Sequence, residues 1–293
     1  MTVSQTNSSR MPLMEADSVL ESLWDQDAVA WDRYWVPIFR LFARDLVECV
    51  SPPRGGVVLD LGTGSGVAAI EVCKAVRSVS LVVGIDRSDA MIALARKKAV
   101  RGHLGNVRFI KMRGEDIRFP DAFFDAAISN CGISIPDFKG LKEILRVLRP
   151  GGTLAFNDWH LIDVKPHRIF GEALGKYRTT TPSPQLSRER SALASMESFH
   201  HSLSPQTQLE TVRDAGFGEV HLANRRYRVR MGGVHEYLRM RLCRATIRRE
   251  LSEMSPTQRR FFLSELRERL EEFVGGSFVF DWNVFYIHAR KPS

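Results

Sequence analysis

The sequence predicts an α/β fold built on a mostly parallel sheet, and three observations predict it. Short apolar runs alternate with helical patterns from about residue 56 to 158, the order expected of strands joined by crossover helices. Three alternating glycines, Gly62, Gly64 and Gly66, directly follow the first run. Carboxylates then stand just after the second and third runs, at the edge where an open parallel sheet gathers its ligands.

Val57–Leu61 reads as the first buried strand, and the glycines lead into a helix reaching about Val76. Leu81–Ile85 is the second strand, followed by a helix over Ala90–Val100 with apolar spacing at Met91, Leu94 and Ala95. Val107–Ile110 and Phe124–Ser129 are the third and fourth strands. A helix over Leu141–Leu148 is stopped by Pro150, Gly151 and Gly152, and Thr153–Asn157 is the fifth strand. Pro166, Pro182 and Pro184 then punctuate short helical pieces, so residues 160–203 read as an insertion. Ser204 and Pro205 supply an N-cap and a first-turn proline for a helix that ends at Gly216, and Val220–Leu222 is a short sixth strand. Residues 225–277 read as a second insertion. It holds one helix over about Val234–Leu251 and another opened by the capping box Ser255-Pro256-Thr257-Gln258 and closed by Gly275 and Gly276. Phe278–Ala289 is a long last strand. The chain thus divides into an N-terminal helical lid, 1–50, and a domain over 51–293 whose two insertions would cap a substrate.

Composition narrows the function class. The chain has 293 residues, 44% hydrophobic and 26% charged, with no apolar run long enough to span a membrane. Cys49, Cys73, Cys131 and Cys243 stand far apart with no CxxC pair, which argues against a zinc site or a disulfide framework; no metal is expected. The N-terminus is polar and lacks a signal-peptide pattern, so the expectation is a cytoplasmic protein. The net charge of +8 is localised: Arg225 to Arg269 holds thirteen arginines and five glutamates, which equals the excess of the whole chain. Such a stretch is either a candidate surface for anionic partners or a solvated helical face with exposed ion pairs.

The glycine loop is the sharpest signal. Glycines at 62, 64 and 66 let the backbone turn tightly and approach a ligand with no Cβ in the way. A dinucleotide loop would want a third-turn glycine where this chain has Val67, and it would not want Asp60 two residues before the first glycine. A carboxylate there suits a cationic ligand and repels a pyrophosphate. Asp86, ending the second strand, can accept two hydrogen bonds from ribose hydroxyls. Glu115 and Asp116 follow the third strand, where a carboxylate can take an adenine amino hydrogen. Taken singly, each acid could be a loop cap; three of them beside a GxGxG are hard to explain that way.

Five segments in this order resemble the class I S-adenosylmethionine-dependent methyltransferases of the UbiE-like, type 11 sort: Leu59–Gly66, Gly84–Met91, Gly114–Ile117, Phe123–Asp125 and Leu145–Gly152. Trp31–Trp35 is similar to the family's N-terminal aromatic lid. The resemblance implies a Rossmann-like, seven-stranded sheet with an antiparallel last strand and S-adenosyl-L-methionine as cofactor. Carried onto this chain, it sets Asp60, Gly62 and Thr63 near the methionine amino group, with Gly64 and Gly66 giving backbone approach. Asp86 would hold the ribose, Arg87 or Met91 would flank the adenine, and Asp116, with Ile117 beside it, would meet the adenine edge, with Glu115 also among the cofactor-binding residues. Ser129 and Asn130 would line the path to the methyl group, and Tyr34 could close over the methionine carboxylate.

The acceptor is less legible. His160, after the fifth strand, could take a proton from a hydroxyl. The fourth strand ends in Ser129-Asn130-Cys131-Gly132 and lacks the Pro-Pro-aromatic ending of many amide and adenine N-methyltransferases. Cys131 is similar in place to a thiol of arsenite methyltransferases, but the further thiols they need have no counterpart. The insertions are rich in Phe, Leu, Met and Tyr, which suits a mostly apolar pocket and a small or medium-sized organic acceptor. The alternatives are a nucleic-acid methyltransferase gripping phosphates with the arginine-rich segment, and a non-catalytic member of the family.

Overall fold

The computed structural model describes residues 13–50, 52–133, 138–159, 165–202, 204–274 and 278–293. Its centre is one sheet whose first four strands are short and rich in buried apolar residues, as a parallel sheet covered by helices requires. These are β1 (Val57–Leu61), β2 (Leu81–Asp86), β3 (Val107–Lys111) and β4 (Phe124–Asn130). With β5 (Leu148–Trp159), β6 (Gly218–Met231) and β7 (Phe278–Arg290) they stand in the order β3-β2-β1-β4-β5-β7-β6. The pairs among β1 to β5 are parallel, and β7 runs antiparallel to both neighbours. The expected seven strands and reversed last strand are both present.

Two layers of helices cover the sheet. On one face, α2 (Val36–Glu48), α3 (Val67–Ala75) and α4 (Asp89–Arg101) bury Phe42, Leu46, Val72 and Ile92 against Val58, Val82 and Ile128. On the other face, α5 (Phe138–Val147) and α8 (Pro205–Asp214) bury Leu141, Ile144, Leu209 and Val212 against Leu59, Leu154 and Phe156. Period-two alternation thus splits each strand between two cores. Helix starts follow their caps. Ser88 accepts from Met91 N at 3.1 Å to open α4, and Ser204 accepts from Thr207 N at 3.0 Å to open α8, with Pro205 in the first turn.

The remaining helices extend the first layer. They are α1 (Leu13–Tyr34), α6 (Lys165–Tyr177), α7 (Pro184–Ser202), α9 (Val234–Leu242), α10 (Ala245–Glu253) and α11 (Pro256–Val274). Helix α6 packs on α11, and α7 packs on α1 and α10, so both insertions and the N-terminal helix meet.

Four boundaries differ from expectation. The first insertion holds two full helices of 13 and 19 residues, because Pro166 and Pro184 occupy first turns, where proline starts a helix, and break nothing. The fifth strand begins at Leu148, and the Pro150-Gly151-Gly152 stop is an irregularity within it: Phe124 pairs with Leu148 but Ala126 with Thr153. The sixth strand runs to Met231, so residues 225–231 belong to the sheet and the second insertion starts after them. There Tyr227 and Val229 turn inward while Arg226, Arg228 and Arg230 stay exposed. Finally, the helix expected over Val234–Leu251 is two helices, parted at Cys243 and Arg244. The capping box is present, with Ser255 Oγ accepting from Gln258 N at 3.2 Å and Gln258 Oε1 accepting from Ser255 N at 2.9 Å. Gly275 and Gly276, expected to close the last helix, lie outside the described residues.

Candidate active site

The loop after β1 is left-handed at all three glycines, with φ of 60°, 53° and 84° at Gly62, Gly64 and Gly66. Side chains rarely adopt that region, so the sequence had little choice. Gly62 adds a second reason: a Cβ there would lie 2.7 Å from the Cα of Gly132. The loops after β1 and β4 therefore touch backbone to backbone. Space opens at Gly64, where a Cβ would meet nothing within 4 Å.

Asp60 sits under this loop, fully buried. Its Oδ2 accepts from Thr63 Oγ at 2.6 Å and from Ala69 N at 2.9 Å, which ties the loop to α3. Its Oδ1 is buried with no hydrogen-bond partner. Desolvation pushes this carboxyl up to about 7, against the two hydrogen bonds, which pull the other way. A cationic group above the loop would complete Asp60 and restore its charge.

Asp86 closes the same loop from the next strand. Its Oδ2 accepts from Gly64 N at 2.8 Å and its Oδ1 from Ser88 N at 2.9 Å, leaving one lone pair on each oxygen for a diol. Burial raises its pKa, offset by these two bonds. Of its neighbours, Arg87 is held by Asp17 at 3.0 Å and reaches Glu115 at 3.7 Å, while Met91 is buried in α4. After β3, the carboxylate of Asp116 is 69% exposed and paired with Arg118, whereas that of Glu115 is 28% exposed with its Oε2 buried and without a hydrogen bond. Glu115, ion-paired with Arg87 and with Arg113 at 3.5 Å, is the more buried of the two acids and Asp116 the more exposed. Ile117 is buried beside them, its N–H donating to Glu143 at 3.1 Å.

At the ends of β4 and β5 the polar side chains are consumed by structure. Ser129 Oγ donates to Leu61 O at 2.8 Å. Asn130 Nδ2 donates to Phe39 O at 3.2 Å, and its Oδ1 accepts from Asn157 Nδ2 at 2.9 Å. These bonds strap the strand ends to α2, so Ser129 and Asn130 stand at the expected place without a free polar atom turned to a path. Cys131 is left-handed, φ 57°, with its thiol donating to Asn157 Oδ1 at 3.2 Å and pushed well above its ordinary pKa by burial; it is a packed strand terminus. The catalytic expectation at His160 lies outside the described residues. Sequence reasoning passed over its neighbour Asp158, a buried carboxylate at the end of β5 that desolvation raises to about 7. Its only signal was the Asp158-Trp159-His160 run itself.

Helix α1 roofs this edge with carboxylates. Asp32 accepts from Ser65 Oγ at 2.6 Å and pairs with Lys98. Asp25 accepts from Ser88 Oγ at 2.6 Å and Ala90 N at 3.1 Å, and Asp17 pairs with Arg87 and Arg113. The roof is therefore made by acids of α1. Tyr34, the residue expected to close over the site, lies at the helix end under the Arg33 guanidinium, 5.4 Å from its ring centre, and packs partly buried against the core.

Beyond the strand ends lies a wall of rings. Phe39 meets Trp159 at 5.4 Å between ring centres, Trp159 meets Trp282 at 6.0 Å, and His167 stands between Trp35, Tyr237 and Trp282 at 6.5, 5.7 and 6.2 Å. Of the thirteen arginines between Arg225 and Arg269, Arg241 lies over the Phe170 ring at 4.6 Å, and six pair with acids of the chain among the described residues. Arg244 pairs with buried Asp27, Arg249 with buried Glu189 at 2.8 Å, Arg225 with Asp45 at 2.9 Å, and Arg226 and Arg228 share Asp281. Buried Glu250 likewise takes Arg190 at 2.6 Å.

Comparison with known proteins agrees with this geometry. A methyltransferase-domain family model matches residues 58–152. The chain is 37% identical over 116 residues to a ubiquinone/menaquinone biosynthesis C-methyltransferase UbiE of Geobacter sulfurreducens, covering 39% of this chain and 45% of that protein. It is 36% identical over 159 residues to a 2-phytyl-1,4-naphtoquinone methyltransferase of Synechococcus elongatus, covering 51% of this chain and 67% of that protein. The chain spans about half the length of the UbiE relatives it matches. Among solved structures, the fold is similar to that of a Bacillus halodurans protein at 18% identity (TM-score 0.53, 86% of this chain and 99% of that one). It is also similar to Haemonchus contortus phosphoethanolamine N-methyltransferase 2 at 17% identity (TM-score 0.53, 92% of this chain and 58% of that one).

Proposed function

Because the chain belongs to the class I S-adenosylmethionine-dependent methyltransferases, we propose that it transfers the donor's methyl group to a small or medium-sized organic acceptor. One observation supports the reading: aromatic rings gather beyond the ends of β5 and β7, while six of the thirteen arginines from Arg225 to Arg269, which a polyanion would need, pair with the chain's own acids among the described residues. The residues at the edge fit the family's donor. Buried Asp60 Oδ1 lacks a partner and suits an ammonium, Asp86 keeps two lone pairs for a ribose diol, and Glu115, the more buried of the two acids after β3, offers an acceptor to an adenine amino group. S-adenosylmethionine supplies an electrophilic methyl on its sulfonium. The protein's part is alignment and the exclusion of water. In this reading Asp60 and Asp86 fix the donor, α1 covers it, and the two insertions cap the acceptor. Where the acceptor must lose a proton, Asp158 is the described group at this edge suited to take it, since its pKa lies near neutrality.

The relatives named for quinone methylation support a planar acceptor for this chain only as an analogy of sequence. The reading is tested by calorimetric titration with S-adenosylhomocysteine, followed by transfer of labelled methyl from S-adenosylmethionine to a panel of phenols, amines and RNA. Saturable cofactor binding with transfer to a small organic compound is expected. Transfer to RNA alone would replace it with the nucleic-acid reading.

A further inference from the structure

We propose that Asp25 and Asp32 of α1 are positioning residues for the donor, acting through Ser88 and Ser65, so that the N-terminal helix fixes both donor loops without touching the donor. The proposal rests on the reading of this edge as the donor site of a methyltransferase. The two acids stand seven residues apart in one helix, which is two turns, so they leave the same face about 10 Å apart. Each takes a serine hydroxyl at 2.6 Å. Asp32 Oδ1 accepts from Ser65 Oγ in the loop after β1, and Asp25 Oδ1 accepts from Ser88 Oγ in the loop after β2.

Each serine is tied in turn to Asp86. Ser65 is 1% exposed and stands between Gly64 and Gly66, both left-handed and without side chains, so it supplies the side-chain hold on this half of the loop. Its hydroxyl is fully committed: it donates to Asp32 and accepts from Lys98 Nζ at 2.9 Å, and Lys98 also pairs with Asp32. The adjoining amide, Gly64 N, donates to Asp86 Oδ2 at 2.8 Å. Ser88 is fully buried and holds the other oxygen of that carboxylate, its N donating to Asp86 Oδ1 at 2.9 Å, while its Oγ accepts from Met91 N at 3.1 Å. Asp25 steadies the same turn by accepting from Ala90 N at 3.1 Å. Both oxygens of Asp86 are therefore set by amides that the two serines carry or adjoin.

A helix that had only to cover this edge could pack with apolar side chains, as α1 does elsewhere with Leu23 and Ala28. Hydrogen bonds from loop hydroxyls to carboxylates fix direction as well as distance. A loop with three left-handed glycines has conformational freedom to lose when a ligand binds, and a loop already held loses less, so affinity rises. The hold comes from outside the stretch 58–152 that the methyltransferase-domain model matches, because α1 ends at Tyr34.

Calorimetric titration of the full chain with S-adenosylhomocysteine tests this, with the ligand-free melting temperature measured in parallel. Asp25→Ala and Asp32→Ala should each weaken binding about five- to tenfold. Asp25→Asn and Asp32→Asn keep an oxygen for the serine hydroxyl and should weaken it by no more than about threefold. Glu21→Gln removes a charge that pairs with Lys111 and Arg113 and touches neither serine, so its affinity should stay within about twofold of wild type. Ser65→Ala should match Asp32→Ala, and the double variant should bind no more weakly than the worse single, since both remove one bond. Unchanged affinity in Asp25→Ala or in Asp32→Ala, losses that add in the double variant, or an equal loss in Glu21→Gln would overturn the proposal. So would alanine variants that melt lower yet bind like wild type once folded, the mark of a purely structural role. Failure of the wild-type chain to bind S-adenosylhomocysteine would instead overturn the methyltransferase reading.

Discussion

The glycine-loop edge and the aromatic cluster beyond it are built in opposite ways. At the donor edge each group comes from the loop that follows its own strand: Asp60 and the glycines after β1, Asp86 at the end of β2, Glu115 after β3. Neighbouring strands carry these loops to one place, so chain order and spatial order agree. The cluster gathers Trp35, Trp159, His167, Tyr237 and Trp282 from across the chain, so no short stretch of sequence announces it. Local geometry dictates the first region, and packing of distant helices dictates the second. Substitutions should therefore act on donor affinity in one region and on stability or acceptor choice in the other.

The strongest way to break that division is at Gly62. Its Cβ would strike the Gly132 backbone and its φ of 60° is unfavourable to any side chain, so Gly62→Ala should lower S-adenosylhomocysteine affinity at least a hundredfold by calorimetry. Affinity within threefold of wild type would show that the loop yields where the geometry says it cannot.

Next in size is Arg249→Ala, which strands the buried Glu189 carboxylate and should cost about 3–5 kcal/mol of stability in denaturant unfolding. Donor affinity in the folded fraction should stay within twofold. A matching loss of donor affinity would mean that the α7–α10 contact and the donor edge are one unit.

Asp86→Ala removes the acceptor of two loop amides and of the proposed diol, and should weaken donor affinity at least tenfold, about 1.4 kcal/mol or more. Unchanged affinity would detach the β2 end from the site.

A subtler effect is in pH. Desolvation lifts Asp60 and Asp158 to about 7, while unfolded carboxyls titrate near 4. The folded chain thus holds protons that the unfolded chain has released, so stability is greatest below pH 4 from these groups and falls as pH rises from about 4 to about 7. Asp158→Asn should flatten that fall and raise the melting temperature at pH 7.5 more than at pH 5. An equal shift at both values would contradict the buried, protonatable carboxyl.

The smallest effect should come from Arg259, Arg260 and Arg267, exposed on α11. Changing all three to Gln should leave donor affinity and methyl transfer unaltered. It should also leave RNA binding as weak and as salt-dependent as before, measured by filter binding at several salt concentrations. Arginines such as Arg244 and Arg249 would be poor choices for that test, because their loss uncovers buried acids.

These contrasts also explain what the sequence revealed. The strands β1 to β4 and the capped helices were legible because each carries its own periodicity or cap, whereas the reversal of the last strand followed only from the family resemblance. The sixth strand was misjudged because Arg225, Arg226, Arg228 and Arg230 read as a charge run, while the informative residues were Tyr227 and Val229 between them, at period two. The helices α6 and α7 were hidden by prolines taken for breaks. In the site, the acids were legible as a set, but their orientation was not. Glu115 and Asp116 are adjacent, and only the backbone at the end of β3 decides which is the more buried. The aromatic cluster was invisible because its five rings are ordinary aromatic residues until the helices dock.

The long sixth strand closes the sheet on one side, and an uncovered strand edge is an invitation to further pairing. Its exposed Arg226, Arg228 and Arg230 stand on one face, with Asp281 between the first two. A second copy joining here antiparallel, its core on the same side, would have to set arginine against arginine across the new seam. The basic run thus weighs against edge-to-edge pairing of this strand with its own copy.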